Sequence, residues 1–316
     1  MTLCFLISKY DEFRRSGLIS DWTSFEDVGE SFNGEVLTAS EYRRVEDLYI
    51  SALESLIDAL QVDRFKLSNL VLNEPAPSWL GPAYDGGSVE RHTALRLLRH
   101  MLRHGLISCV LESGDVLRVA VETDFYVSVE IQPNAVRFLE QVKHLGLHVV
   151  PVAYAEEEID AAMMTSRTVD GEFWEEVSKS VRSSRGATVV LERWAKGSYG
   201  FRWHPVFGER ISKIVESVRP HSLITAYFDV NVQWTPRRNL ATEVAAAVMG
   251  EEIPVVIFSQ SIDGGVPQVL VLREGDDVPA DEDVPPGHEL GFFLWPDEDS
   301  TFIQAVVRGG GCRSVQ

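Results

Sequence analysis

The clearest pattern of apolar and polar positions lies near the middle of the chain, from Val116 to Val152. Apolar side chains alternate with polar ones over residues 117–121 and again over residues 125–129, which is the period-two pattern of a half-buried strand. Pro133 then stands where the first turn of a helix tolerates proline, and the apolar run Leu147–Val152 returns as a strand. The pattern predicts a strand, strand, helix, strand unit, which needs a sheet with a helix on one face.

The turn before the helix of this unit carries no glycine, since residues 131–134 read Ile-Gln-Pro-Asn. The chain also lacks the G-x-G-x-x-G, G-x-x-x-x-G-K-[ST] and G-x-S-x-G motifs. Dinucleotide-binding, P-loop and α/β-hydrolase functions therefore have no support, and no cofactor is predicted.

The first half of the chain predicts two strong helices among strands. The better one opens at Thr38, where Glu41 stands at the spacing of a capping box and an apolar stripe follows at three-and-four spacing. The other predicted segments are a strand at Thr2–Ser8, a strand at Arg64–Leu72, a loop at Asn73–Gly87, a helix at Ser88–His104 and a hairpin of Leu106–Leu111 with Leu117–Val121.

The second half mixes short helices with more strands. The predicted helices are one capped by Asp170, one at Glu209–Val218 and one at Asn239–Met249. The predicted strands are Ala187–Trp194, Tyr199–His204, Ser222–Trp234, Pro254–Gln260, Val266–Arg273, Leu290–Trp295 and Thr301–Val307, with a turn at Asp263-Gly264-Gly265. The sequence thus predicts an α+β protein of two domains, 1–155 and 156–316, each a mixed or antiparallel sheet with helices packed on one face. The second is expected to end in an antiparallel β-meander.

Charge narrows the expected partners. The chain of 316 residues carries 29 Lys+Arg against 48 Asp+Glu, a formal net charge of −19. Such a charge disfavours general affinity for nucleic acid phosphate or an anionic membrane and favours a cationic partner.

The three cysteines, Cys4, Cys109 and Cys312, are far apart in sequence, and Cys4 and Cys109 lie in apolar runs that predict buried, inert thiols. The N-terminal apolar run is too short for a signal peptide, and no run reaches the length of a membrane span. A cytoplasmic location is expected.

A helix followed by a strand over residues 35–72 and the closing run VRFLEQVKHLGLHVVPV form a recognisable combination. Its distinctive residues are Glu41, Tyr42, Glu46, Asp47, Tyr49, Leu67 and Leu70. In this pattern the first half of the chain resembles uncharacterised bacterial proteins that neighbour polymorphic toxins and are suspected immunity factors. The resemblance implies binding of a cognate toxin and supplies no catalytic residues.

The preferred hypothesis is a non-enzymatic, immunity- or antitoxin-like inhibitor of a basic partner protein. An acidic, proline-rich loop over residues 274–289 would steer that partner. A polar row on the strand 222–234 would add contacts, although a solvated loop and a solvent-facing strand are the simpler interpretations of both features. The predicted partner-binding residues are Asp276, Asp277, Asp281, Glu282, Asp283, Asp229 and Asn231.

Two alternative functions rest on other residues. The basic face of the helix 88–104 would let a regulator contact nucleic acid, unless that face forms ion pairs with acidic surroundings. This face comprises Arg91, His92, Arg96, Arg99 and Arg103. An enzyme would place its site in the second domain, on Arg202, His204, Tyr227 and Asp229. His100 and His104 have the i, i+4 spacing of metal ligands, but a third ligand is not evident and no metal is predicted.

Overall fold

Antiparallel sheets covered by helices make up the computed structural model of this chain, which confirms the predicted α+β class. The structure describes residues 2–10, 21–153, 165–206, 211–235, 255–261, 268–272, 288–294 and 301–308. The chain divides into two units: unit 1 is Met1–Ile159 with Ala195–Gly200, and unit 2 is Asp160–Trp194 with Phe201–Gln316. The predicted boundary between residues 155 and 156 lies outside the described ranges.

Unit 1 contains three α-helices and nine strands among its described residues. The helices are α1 (Ala39–Leu60), α2 (Arg91–His104) and α3 (Leu139–His144). The strands are β1 (Leu3–Ser8), β2 (Ser31–Phe32), β3 (Glu35–Val36), β4 (Arg64–Leu72), β5 (Ser88–Glu90), β6 (Ile107–Ser113), β7 (Leu117–Val121), β8 (Val127–Ile131) and β9 (His148–Val152). Short 3-10 turns cover Phe25–Asp27, Ser78–Leu80, Thr123–Phe125 and Pro133–Phe138.

Seven of these strands form one sheet in the order β5-β4-β6-β7-β8-β1-β9, with every neighbouring pair antiparallel. The strand, strand, helix, strand unit of the middle of the chain is present as β7, β8, α3 and β9, although β1 lies between β8 and β9. A row of buried apolar partners crosses one face of the sheet. It consists of Leu67, Leu111, Val119, Val129 and Phe5.

The opposite face of this sheet is polar, with charges that alternate from strand to strand. Lys66, Glu112, Arg118 and Glu130 are cross-strand partners in that order. Glu112 lies 3.6 Å from Lys66 and 3.5 Å from Arg118, and Arg118 also binds Glu130. Because only the other face is apolar, the helices cover one face of the sheet, as predicted.

The two long helices begin differently. At the start of α1 the Thr38 hydroxyl accepts a hydrogen bond from the Glu41 N–H at 3.1 Å, which is one half of the predicted capping box. The predicted start of α2 at Ser88 is wrong, because residues 88–90 form β5 and pair with β4. The helix starts at Arg91 instead and ends at Gly105, whose φ of +62° suits glycine.

The segment Ala195–Gly200 adds to the end of β4 within unit 1. The Lys196 N–H donates to the Leu70 carbonyl and the Leu72 N–H donates to the Lys196 carbonyl, each at 2.8 Å. Gly197 has a φ of +82°, and a Cβ there would stand 2.5 Å from the Leu72 oxygen. Only glycine fits this position without moving the backbone.

The described thiols differ in burial. Cys109 is buried, and that burial raises the pKa of its thiol to about 12, so it is inert as predicted. Cys4 is only half-buried. The prediction that Cys4 is buried was therefore too strong, because its side chain lies on the polar face of the sheet.

Unit 2 contains two described α-helices and eight strands. The helices are α4 (Gly171–Ser183) and α5 (Ile211–Ser217). The strands are β10 (Ala187–Arg193), β11 (Phe201–Val206), β12 (Leu223–Val230), β13 (Gln233–Thr235), β14 (Val255–Ser261), β15 (Gln268–Leu272), β16 (His288–Leu294) and β17 (Phe302–Val306).

Two antiparallel sheets share the strands of unit 2, in the orders β11-β10-β12-β17 and β13-β16-β14-β15. The helices pack on one face of the first sheet, where Phe173 and Val177 meet Val190. On its other face, Trp203 meets Phe293 of the second sheet. The first sheet is therefore buried on both sides.

Two predictions about the strands of unit 2 are wrong. The long strand predicted over 222–234 is divided, because Asp229 takes a left-handed φ of +57° and the chain leaves β12 to form β13 in the other sheet. The predicted four-stranded meander is also divided, since β17 pairs with β12 in the first sheet. The predicted helix 239–249 and the turn 263–265 lie outside the described residues.

Candidate functional site

Each unit contains, among its described residues, a fully buried carboxylate with charged side chains around it. The side chains of Glu46 on α1 and Glu192 on β10 are both 0% exposed. A buried charge persists only when opposite charges and hydrogen bonds compensate it. The groups around these two residues therefore determine what each region can do.

The Glu192 cluster comprises Glu192, Arg202, His204, the Arg219 backbone N–H and Ser222. Arg202 and His204 are two residues apart on β11, so both side chains point to the face of the sheet that carries Glu192. The Glu192 carboxylate lies 2.7 Å from Arg202 Nη2 and 2.9 Å from His204 Nε2. It also accepts hydrogen bonds from the Arg219 N–H at 2.6 Å and the Ser222 hydroxyl at 3.3 Å.

These contacts keep the carboxylate charged. Burial by itself would raise the pKa of Glu192, but the hydrogen bonds from His204, the Arg219 N–H and Arg202 bring that pKa below its ordinary value. Within the described ranges, His204 makes no hydrogen bond to a hydroxyl or thiol group. Among the described residues, the Glu192–His204 pair therefore has no hydroxyl or thiol bound to the imidazole, as the nucleophile of a serine or cysteine hydrolase would be.

The other two residues of the predicted enzyme site lie elsewhere. Tyr227 projects from the opposite face of the sheet, where its ring is 5.8 Å from that of Trp203, and burial raises the pKa of its hydroxyl. Asp229 accepts hydrogen bonds from the Ser184 hydroxyl at 2.8 Å and the Arg185 N–H at 2.7 Å. The four predicted residues do not converge, because Arg202 and His204 on β11 face Glu192, whereas Tyr227 faces the second sheet and Asp229 binds the turn after α4.

Asp229 is also committed to a turn rather than available to a partner. The Gly186 N–H, the Ser184 hydroxyl and the Arg185 N–H hold the pKa of its carboxyl below the ordinary value. Asn231, the next residue of the predicted polar row, is exposed. The predicted row is thus interrupted at its centre.

The Glu46 cluster comprises Glu46, Asp47, Arg99 and Arg103, and it accounts for two arginines of the predicted basic face. Arg103 holds both oxygens of Glu46, with Nη2 at 2.7 Å from Oε2, and Arg99 binds the same carboxylate. Arg99 also lies 2.7 Å from Asp47. Two guanidinium groups therefore meet two carboxylates, and the cluster is balanced.

The remaining residues of the basic face have different surroundings. Arg91 binds Asp58 and Glu54 of α1, while exposed His92 lies 3.5 Å from Glu90. Arg96 is exposed, and its guanidinium carbon lies 4.4 Å from the centre of the Trp79 ring. Arg91, Arg99 and Arg103 thus face carboxylates of α1 rather than solvent alone, as the ion-pair interpretation of this face expected.

His100 and His104 stand close together on α2, with ring centres 5.1 Å apart, and His100 Nε2 is 2.6 Å from Glu74. In the part of the chain that the structure describes, no three His, Cys, Asp or Glu side chains form an arrangement that could hold a metal ion. The two histidines therefore have one carboxylate neighbour but no complete ligand set.

The predicted acidic loop, with Asp276, Asp277, Asp281, Glu282 and Asp283, lies outside the described residues. Among the described residues, exposed carboxylates lie in unit 1 around the hairpin of β2 and β3. They are Glu26, Glu30 and Glu35.

Sequence reasoning missed the two central carboxylates. A signal existed for Glu46, which falls on the apolar stripe of α1 between Val45 and Tyr49 and is buried with them. A similar signal existed for Glu192, which shares an inward face with Val190 on β10. A charged residue at an inward position predicts a buried ion pair.

No family model, curated protein or solved structure matches the chain. Among the described residues, no helix combines the length and apolar character needed to cross a membrane.

Proposed function

We propose that this chain is a non-enzymatic protein-binding protein, an immunity- or antitoxin-like inhibitor that acts in the cytoplasm by covering a basic surface of its partner. The observation that carries the proposal is internal neutralisation: three arginines of α2, the most basic segment of the chain, are bound to carboxylates of α1. The chain nevertheless has a net charge of −19.

The ion pairs of α2 matter for the field that a partner meets. A guanidinium next to a carboxylate contributes little beyond a Debye length of about 8 Å at physiological salt. Carboxylates without such neighbours then dominate at a distance, and they attract cationic surfaces while repelling phosphate. This supports a basic protein over nucleic acid as the partner.

The position of the enzyme candidates also favours binding as the hypothesis. Arg202 and His204 are engaged with a buried carboxylate, while Tyr227 and Asp229 lie apart from them. The free thiols Cys4 and Cys109 agree with a reducing compartment. The resemblance of the first half to immunity factors names the kind of basic partner, a cognate toxin.

The test starts with affinity capture, followed by titration of the purified protein with its purified partner. Two charge reversals of equal size are compared: Asp281→Lys, Glu282→Lys, Asp283→Lys in the acidic loop, and Glu26→Lys, Glu30→Lys, Glu35→Lys at the hairpin of unit 1. We expect the loop variant to raise Kd at least about tenfold and the hairpin variant to change it little.

The partner should be a basic protein whose toxicity is suppressed when the two are produced together. Capture of an acidic partner, or a partner whose activity continues unchanged in the complex, would contradict the proposal. Equal affinity of the loop variant and the unmodified protein would remove the role of the loop.

A further inference from the structure

Arg219 presents an oriented guanidinium group in an otherwise acidic protein. Its guanidinium carbon lies 3.8 Å from the centre of the Trp194 ring, and Trp194 is buried while Arg219 is exposed. Across the described ranges, no carboxylate binds this guanidinium. An indole under a guanidinium limits its rotation and leaves its N–H groups directed outward.

A second arginine, Arg202, binds the same carboxylate, Glu192, as the backbone of Arg219. The Arg219 N–H donates to one oxygen of Glu192 at 2.6 Å, and Arg202 Nη2 donates to the other at 2.7 Å. Arg202 Nη2 also donates to the Ser217 carbonyl at 2.9 Å, and the Arg202 side chain is 40% exposed. Its Nη1 group has no hydrogen-bond partner in the described part of the chain.

The charge of this region is not balanced. The Arg202 guanidinium pairs with the Glu192 carboxylate, whereas Arg219 gives that carboxylate only its backbone N–H, so the charge of the Arg219 guanidinium remains in excess. In the Glu46 cluster, by contrast, Arg99 and Arg103 meet both Glu46 and Asp47. The excess charge beside the Glu192 cluster faces solvent through Arg219.

We propose that Arg219 and Arg202, with Trp194 as the supporting platform, form a binding site for the carboxylate group of a small carboxylic acid. One carboxylate matches the single excess charge. Its planar pair of oxygens also matches the fork of a guanidinium, which binds it through two parallel hydrogen bonds. This proposal and the proposed partner binding rest on different residues, and neither depends on the other.

The test follows the side-chain Nε–H signals of the arginines by NMR in the full-length protein during titration with sodium acetate at constant ionic strength. The Arg219 signal is identified by its loss in Arg219→Gln. We expect it to shift saturably, with a Kd on the order of 1 mM. Arg219 makes no ion pair in the described chain, so this variant should remain folded.

Three variants distinguish a built site from simple attraction of anions. Arg219→Lys keeps the charge but loses the planar fork, and acetate binding followed through the Arg202 Nε–H signal should weaken at least about tenfold; Arg202→Gln, followed through the Arg219 signal, should weaken it similarly. Arg96→Gln is the matched control, because Arg96 also lies over a tryptophan, Trp79, without a second arginine at the same carboxylate. This control should leave the acetate titration of Arg219 unchanged.

A linear, non-saturating shift of the Arg219 signal would overturn the proposal. Full retention of binding in Arg219→Lys would also overturn it, since charge alone would then explain the effect. A parallel titration with inorganic phosphate tests the ligand class, and binding tighter than that of acetate by about tenfold or more would reject the carboxylate assignment.

Discussion

The Glu46 cluster of unit 1 and the Glu192 cluster of unit 2 compensate a fully buried carboxylate in different ways. Glu46 meets two guanidinium groups from the next helix, with Asp47 as a second carboxylate. Glu192 meets one guanidinium, one imidazole, a backbone N–H and a hydroxyl. The first cluster joins two helices through permanent charges, whereas the second depends partly on a histidine and on neutral donors.

The two clusters leave different amounts of positive charge exposed to solvent. Balanced pairing in the Glu46 cluster reduces what Arg99 and Arg103 contribute to the outer field of the protein. In the Glu192 cluster, neutral donors satisfy part of the carboxylate, so less cationic charge is needed there and Arg219 remains over Trp194. Substitutions in each cluster test this difference.

The largest effect is expected on removal of either carboxylate. Glu46→Ala and Glu192→Ala should each lower the free energy of unfolding by about 3–5 kcal/mol, because cations and buried donors lose their partner. Urea unfolding measures this loss. The exposed residue Glu26 provides the control, since Glu26→Ala should stay within about 0.5 kcal/mol of the unmodified protein. A loss near that of the control at Glu192 would show that its contacts are not stabilising.

Single donors should matter less, and differently in the two clusters. Arg103→Lys replaces a two-point contact with Glu46 by one point charge, and we expect a loss of about 1–2 kcal/mol in the free energy of unfolding. Arg202→Lys should cost less, because His204 and the Arg219 N–H still bind Glu192. Chemical denaturation of both variants checks the order. The reverse order would contradict the interpretation that neutral donors help to stabilise the Glu192 carboxylate in unit 2.

Acid should separate Glu192 from a neutral amide at the same position. The pKa of Glu192 is depressed in the folded state, so its charge contributes stability above the unfolded-state pKa of about 4.3, and this contribution is lost as pH falls through the folded-state pKa. The difference in unfolding free energy between the unmodified protein and Glu192→Gln should therefore shrink below about pH 4. A difference that stays constant from neutral to acidic pH would show that Glu192 is not held ionised.

The smallest effect is expected for an exposed ion pair. Arg44 lies 2.8 Å from Glu41 on α1, and both side chains are about half exposed or more. Arg44→Ala should change the free energy of unfolding by no more than about 0.5 kcal/mol, because solvent screens the pair. A thermal or urea denaturation curve suffices to check it. A loss as large as that of Arg103→Lys would mean that burial does not distinguish the pairs.

Local patterns predicted the elements well, because a helix or strand is specified by neighbouring residues. Thr38 and the stripe on α1 are examples, as is the alternation in β7. The partners of buried charges could not be predicted, since Glu46 binds Arg99 and Arg103 across 53 and 57 residues of sequence. The position of β17 beside β12 was likewise missed, because pairing between distant strands leaves no local pattern.

The candidate residues illustrate the same limit. Arg202 and His204 were recognisable as a pair because they are two residues apart on one strand and share a face. Their partner Glu192 lies on the other strand of the hairpin. Asp229 could not be foreseen as a turn residue, since its hydrogen bonds reach the end of α4 more than forty positions earlier. These contacts could not be predicted because the partners are far apart in sequence, although their chemical types were recognisable.

Because Arg91, Arg99 and Arg103 of α2 are paired with carboxylates of α1, we expect this protein to meet its partner as an anion. The most direct measurement is the association rate with the purified partner at increasing ionic strength, for the unmodified protein and for Asp281→Lys, Glu282→Lys, Asp283→Lys. We expect a rate that falls about tenfold or more with salt for the unmodified protein and much less for the variant. Identical salt dependence for both, or a rate that rises with salt, would contradict it.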